Sequence, residues 1–183
     1  MPVYISMLRG INVGGHNRIK MTALRELFEA LGLEQVQTYI QSGNVVFTAG
    51  KMPPLRVSKK IEERIAKDFG FRVPVVTRTS AEMGGVIESN PFLKTKGIDP
   101  TKLHVTFLSE APDPAALNKL EPLAAKPDQF QSKGNEIYLY CPNGYSNTKL
   151  TNSAIERILA APATTRNWNT VNKLYEMSLE CGG

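Results

Sequence analysis

The chain has little of what would identify a chemistry at once. Its only cysteines, Cys141 and Cys181, lack CxxC spacing, so neither a disulfide framework nor a zinc ribbon is expected. Two isolated histidines, His16 and His104, are too few for a metal centre, and none is predicted. No apolar stretch approaches the roughly 18 residues that mark a membrane span, and Met1-Pro2-Val3-Tyr4-Ile5 has neither the basic start nor the apolar core of a signal peptide. A cytoplasmic protein without a membrane partner is therefore expected. A recognisable nucleophile, metal cage or acid/base pair is also missing, which leaves the catalytic residues and any cofactor unknown.

What is present is an ordinary globular composition. With 183 residues, 42% of them hydrophobic, the chain is long enough for one domain or two small ones, each with a core. The formal charge of +5 favours anionic partners, such as nucleic acid or a phosphorylated small molecule, although an excess this small does not require one.

Periodicity divides the chain into two similar halves. Val3 to Leu8 is a short apolar run suited to a buried strand, and Met21, Leu24, Leu27, Phe28 and Leu31 recur at helical spacing before Gly32. Val36 to Gln41 and Val45 to Thr48 form a hairpin about Ser42-Gly43-Asn44. Val57, Ile61, Ile65 and Phe69 mark one face of a second helix ending at Gly70, and Val73 to Thr77 is a further strand. The first half thus spells βαββαβ over residues 1–79.

A bridging helix and turn-rich linker occupy 80–101, after which the order recurs over 102–183. Lys102 to Leu108 alternates as a strand, and Asp113-Pro114 opens a helix carrying Leu117, Leu120 and Leu123. Phe130-Gln131 and Ile137 to Cys141 flank a second hairpin turn, Leu150, Ile155, Ile158 and Leu159 mark a helix, and Ala163 to Trp168 precedes a terminal helix from about Thr170. The fold class predicted is α+β: two tandem ferredoxin-like (βαββαβ) subdomains with antiparallel sheets and a C-terminal helix. A single larger mixed sheet is the alternative.

In a βαββαβ unit the loop after strand one and the turn after strand two emerge at the same end of the sheet. Arg9 to His16 should therefore lie near Gln41 to Asn44. This first cluster combines Arg9 and Gly10, open amides at Gly14 and Gly15, and the side chains of Asn12, Gln41, Ser42 and Asn44, which is phosphate-nest chemistry in outline. Gly10 and Gly15 have Walker A spacing, but His16-Asn17 stands where Lys-Ser/Thr would be needed, and no G-x-G-x-x-G register fits. Alternatively, the glycines merely turn the chain and Arg9 pairs with a carboxylate.

By the same topology, Asn143 to Lys149 should face Arg166 to Thr170. There Arg166, Asn167, Trp168 and Asn169 can clamp a phosphate and stack a base, with Lys149 as a second cation. Against this, Trp168 also suits a core anchor and Asn169 or Thr170 a helix cap. Asn44-Val45-Val46-Phe47 lacks the RNP1 pattern, which argues against the usual RNA-binding use of this fold.

The segments Leu8-Arg9-Gly10-Ile11-Asn12-Val13-Gly14-Gly15, Thr38-Tyr39-Ile40-Gln41-Ser42-Gly43-Asn44-Val45, Asn90-Pro91-Phe92 and Thr165-Arg166-Asn167-Trp168-Asn169-Thr170 together resemble the bacterial family called domain of unknown function 1697. The resemblance spans nearly the whole chain. It implies an α+β protein of two ferredoxin-like subdomains and brings no established reaction. Its signature polar positions fall on Arg9, Asn12, Gly14, Gly15, Gln41, Ser42, Asn44, Lys149, Arg166, Asn167 and Asn169. Thr148-Lys149-Leu150 departs from a Ser-Lys-Leu-like form but keeps the hydroxyl.

Three functions are open at this point. The first is a binding protein that holds a phosphate-bearing ligand, a nucleotide or nucleic-acid end, in a cleft between the halves. The second is an enzyme acting on a phosphorylated small molecule, with His16 as the one plausible acid/base. The third is a structural or protein-interaction module in which the polar residues brace the fold without ligand.

Overall fold

The computed structural model describes residues 1–182. Its elements run β1 (Val3–Leu8), α1 (Met21–Ala30), β2 (Glu34–Tyr39), β3 (Asn44–Thr48), α2 (Pro54–Phe69), β4 (Val75–Thr79) and α3 (Ser80–Glu88). They continue as β5 (Leu103–Leu108), α4 (Pro114–Asn118), β6 (Gln129–Lys133), β7 (Glu136–Tyr140), α5 (Asn152–Leu159), β8 (Ala163–Asn167) and α6 (Trp168–Cys181). The sheets have the orders β2-β3-β1-β4 and β6-β7-β5-β8, with antiparallel pairing throughout. Each is a ferredoxin-like unit with its first strand at the centre, so the chain is α+β as its periodicity predicts. By its contacts the chain divides into Met1–Gly84 with the residues from Lys173 onward, and Gly85–Asn172. The expected linker at 80–101 is shared between the two units, and α6 begins in the second and continues in the first.

The helix stops follow backbone chemistry. Gly70 takes the left-handed conformation at φ 77° and returns its N–H to the Ala66 carbonyl, ending α2 as its sequence predicts. The helix after Asp113 is shorter than expected: α4 stops at Asn118 and a 3₁₀ turn covers Glu121–Leu123. Pro122 explains the break, because its ring would clash with the Asn118 carbonyl and it has no N–H to donate. The terminal helix starts at Trp168 rather than Thr170, since Asn167 Oδ1 accepts the Thr170 N–H at 2.8 Å and caps it there.

In the first unit, α1 and α2 cover one sheet face. Leu24, Leu27 and Phe28 from α1 and Val57, Ile61 and Ile65 from α2 meet Tyr4, Leu8, Val45 and Phe47. The Phe47 ring stacks on Tyr4 at 5.8 Å and meets Phe28 edge-on at 5.3 Å. In the second unit, Ile155 and Leu150 sit over Leu108, Ile137 and Leu139.

Within both cores the central strand carries a hydroxyl that cannot reach water, and both units answer it in the same way. Ser6 on β1 bonds Thr77 on β4 at 2.7 Å, and Ser58 on α2 donates to Thr77 at 2.8 Å. Thr106 on β5 bonds Thr165 on β8 at 2.8 Å, and Thr165 donates to Asn152 on α5 at 2.8 Å. Each relay joins central strand, edge strand and helix. Replacing the middle hydroxyl by a methyl leaves the buried Ser6 and Ser58, or the buried Thr106, without that partner, which costs about 1–3 kcal/mol. Thr77→Val and Thr165→Val are each expected to lose stability on that scale in urea denaturation, whereas Ser146→Ala, an exposed hydroxyl, should lose less than about 0.5 kcal/mol.

Candidate functional site

Strand β1 ends at Leu8, and its exit is tied down on both sides. The Leu8 N–H donates to the Gly43 carbonyl at 2.8 Å and the Arg9 N–H to Pro74 at 2.9 Å. The loop from Arg9 then lies beside the β2–β3 turn, as the topology predicts. Asn12 fastens the two together. Its Nδ2 donates to the carbonyls of Ile19 and Gln41, both at 2.9 Å, and its Oδ1 accepts the Ile19 N–H at 2.9 Å. One side chain therefore closes the loop base and links it to the neighbouring turn. Asn12 itself sits at φ 56°, a conformation that asparagine tolerates better than most residues.

The turn is built to receive this loop. Asn44 is fully buried, and its Nδ2 donates to Tyr39 O at 3.1 Å and Ser42 Oγ at 3.0 Å. Asn44 is thereby the first residue of β3 rather than part of the turn, which runs from Ile40 to Gly43. Gly43 has φ 86°, and a Cβ there would stand 2.7 Å from Ile11 Cδ1 and 2.8 Å from Leu8 Cβ. Glycine lets the turn close against the loop.

Above this base the loop tip is open. The Asn12 N–H bonds Asn17 O and the His16 N–H bonds Val13 O, while Asn17 Nδ2 reaches Gly10 O at 3.4 Å. Gly14 and Gly15, at φ 58° and 79°, are exposed, and their amides have no hydrogen-bond partner among the described residues. Arg18, whose Nη2 lies 3.8 Å from the place a Cβ on Gly15 would take, stands beside them. Arg18 was absent from the residues singled out by sequence, although its place at the end of the glycine loop carried the signal. Gln41 is exposed, Ser42 half-buried and Arg9 and Gly10 half-buried.

The second sequence cluster is arranged differently. His104 on β5 pairs with Asn167 on β8 and stacks on Tyr145 at 4.7 Å, so the 143–149 segment and the end of β8 do share an end of the sheet. Thr165, however, points toward α5, and Arg166 alternates to the other sheet face, where its Nη1 donates to Thr164 Oγ1 at 2.7 Å and to Thr165 O at 3.0 Å. Lys149 is exposed on the loop that leads into α5. Burial pulls the Arg166 guanidinium down to about 10, which keeps it cationic at neutral pH. Asn167 caps α6, Asn169 is exposed, and Trp168 is buried with its carbonyl accepting Asn172 Nδ2 at 2.8 Å. Among the described residues no cluster of His, Cys, Asp and Glu could hold a metal ion, and no helix is long and apolar enough to cross a membrane.

Two expectations follow. Asn12→Ala removes three hydrogen bonds and should cost about 1–3 kcal/mol. Gly43→Ala adds both a clash and a left-handed penalty and should cost roughly 2–4 kcal/mol, each read from urea denaturation. Separately, burial holds His104 below its ordinary 6.5, partly opposed by the Lys102 backbone, and leaves its Nδ1 buried without a hydrogen-bond partner. The unfolded chain then takes up the proton first, so this contribution is complete above about pH 6.5 and is lost as pH falls below it. Denaturation midpoints measured between about pH 8 and pH 5 should fall, with the fall reduced in His104→Phe.

The chain resembles a solved structure titled "The structure of conserved bacterial protein SP0830 from Streptococcus pneumoniae", with a TM-score of 0.77, 26% sequence identity and coverage of 97% of this chain and 98% of that one. No curated protein matches it. The model of the family described as "Protein of unknown function (DUF1697)" matches residues 1–138, which takes in the braced loop, the β2–β3 turn and the first strands of the second unit, and the chain belongs to that family.

Proposed function

We propose that this is a cytoplasmic binding protein that holds a phosphate-bearing ligand on the tip of the Arg9–Arg18 loop. The observation that carries the reading is the pair of exposed, unpartnered amides at Gly14 and Gly15 on a base fastened by Asn12. Gly14 and Gly15 are the two turn residues between the bridged Val13 and His16, and successive amides in a turn conformation form an anion-binding concavity that needs no side-chain rearrangement to fill. Arg18 supplies a guanidinium beside it, and the chain from Arg9 to Arg25 contains no carboxylate to compete.

The roles within the loop then separate. Asn12, Asn44 and Gly43 hold its shape, Gly14 and Gly15 donate, and Arg18 neutralises charge. Gln41, exposed beside the Asn12 bridge, orients the ligand. A bracing role without ligand accounts for the inward-turned amides of Asn12 and Asn44, but it gives no use to an open tip with the Arg18 guanidinium beside it.

Thermal-shift measurements with pyrophosphate, sugar phosphates and nucleotides test this directly. The expected result is a saturable rise in Tm that disappears in Arg18→Ala, while the stability of the ligand-free variant stays within about 0.5 kcal/mol of the parent. Absence of a shift with every phosphate compound would overturn the reading and leave the bracing role.

A further inference from the structure

Ile40, in the β2–β3 turn, has φ 50° and is half exposed at 50%. A β-branched side chain in the left-handed region crowds its own backbone, and here that side chain is only half covered. Asparagine or glycine would take this conformation more easily. Val13, at the loop tip, is 62% exposed. The two flank one hydrogen bond: Val13 follows Asn12 and Ile40 precedes Gln41, and Asn12 Nδ2 donates to Gln41 O at 2.9 Å. Two exposed aliphatic residues therefore stand on adjoining loops joined by that bond, and Val13 directly precedes the Gly14–Gly15 amides. Neither the Arg9–Lys20 segment nor the Gln35–Val46 segment contains a carboxylate, whereas Arg9, Arg18 and Lys20 lie within the first.

We propose that Val13 and Ile40 are the apolar half of the site and receive the flat face of a nucleobase whose phosphate sits on the loop amides. The ligand class is then a nucleotide unit, free or within a strand. A nucleobase offers such a pair a planar face, which a sugar phosphate lacks. The cations and the lack of carboxylates on both segments fit the phosphate half. Strain retained on an exposed residue is accounted for when that residue makes its contact with something outside the chain. This inference rests on the phosphate-binding reading of the same loop.

The test measures binding of pyrophosphate, a nucleoside monophosphate and a short oligothymidylate by titration calorimetry to the parent protein, Ile40→Asn and Val13→Ser. Ile40→Asn relieves the strain and should raise Tm by about 2–4 °C. It should also weaken both nucleotide ligands about tenfold and leave pyrophosphate unchanged. Val13→Ser, a change at an exposed position, should weaken nucleotide binding in the same direction without loss of fold. Tighter binding of the oligomer assigns the site to a strand, and tighter binding of the monophosphate to a free nucleotide. Both support the inference. Nucleotide affinity unchanged in both variants, or a parent protein that binds pyrophosphate as tightly as either nucleotide, overturns it while the phosphate reading stands. Failure of all three ligands removes both.

Discussion

The first unit depends on a central strand that is hydrogen-bonded along both edges and dry along its length. β1 pairs with β3 from Val3 to Met7 and with β4 from Tyr4 to Leu8, and every residue from Tyr4 to Leu8 is buried. A strand so enclosed cannot leave a polar group to solvent, so Ser6 is answered from inside by Thr77, which in turn accepts from Ser58. The same enclosure fixes where the chain leaves the sheet. Leu8 and Arg9 give their N–H groups to Gly43 and Pro74, and the following loop starts from an anchor hydrogen-bonded on both sides. The second unit repeats the arrangement with Thr106, Thr165 and Asn152, a hydroxyl-centred relay at the corresponding strands and helix.

Much of this architecture was legible in the residues because it rests on periodicity and chain punctuation. Leu24, Leu27 and Phe28, or Val57, Ile61 and Ile65, can bury together only on one helical face, and Gly70 marks a stop that requires a left-handed residue. The adjacency of the β1 exit and the β2–β3 turn followed from strand direction alone. Boundaries were less legible where a side chain, rather than a propensity, decides them. Asn44 belongs to β3 because its amide is used inward, and Trp168 opens α6 because Asn167 caps it. Both assignments depend on contacts that a residue type permits without demanding.

The candidate site divides along the same line. Asparagine and glycine in a loop are compatible with holding a ligand and with holding the loop, and sequence cannot separate the two. Asn12 and Asn44 are occupied with backbone groups, whereas Gly14, Gly15 and Arg18 face outward. Arg166 and Lys149 share an end of one sheet, yet the alternation of β8 sends the arginine to the face opposite the one on which Thr165 meets α5. Strand topology predicts which end a residue occupies. It takes the exact register to predict the face, and a shift of one residue inverts the answer.

A loop that binds through backbone amides places unusual demands on its surroundings, because the donors cannot be re-aimed by a rotamer change and must be held in place before the ligand arrives. Polar residues around such a loop are then needed as fasteners, and their worth is measured in the stability of the loop rather than in contact with ligand. Asn12 meets that description, with one amide satisfying Ile19 twice and Gln41 once. Strain has the opposite sign. The left-handed Ile40 lowers stability at the very turn that Asn12 fastens, so the two residues pull against each other across one hydrogen bond. The turn keeps a fastener and a strained residue side by side, and a residue that takes the left-handed conformation more easily than Ile40 would leave the Asn12 bridge in place while relieving the strain.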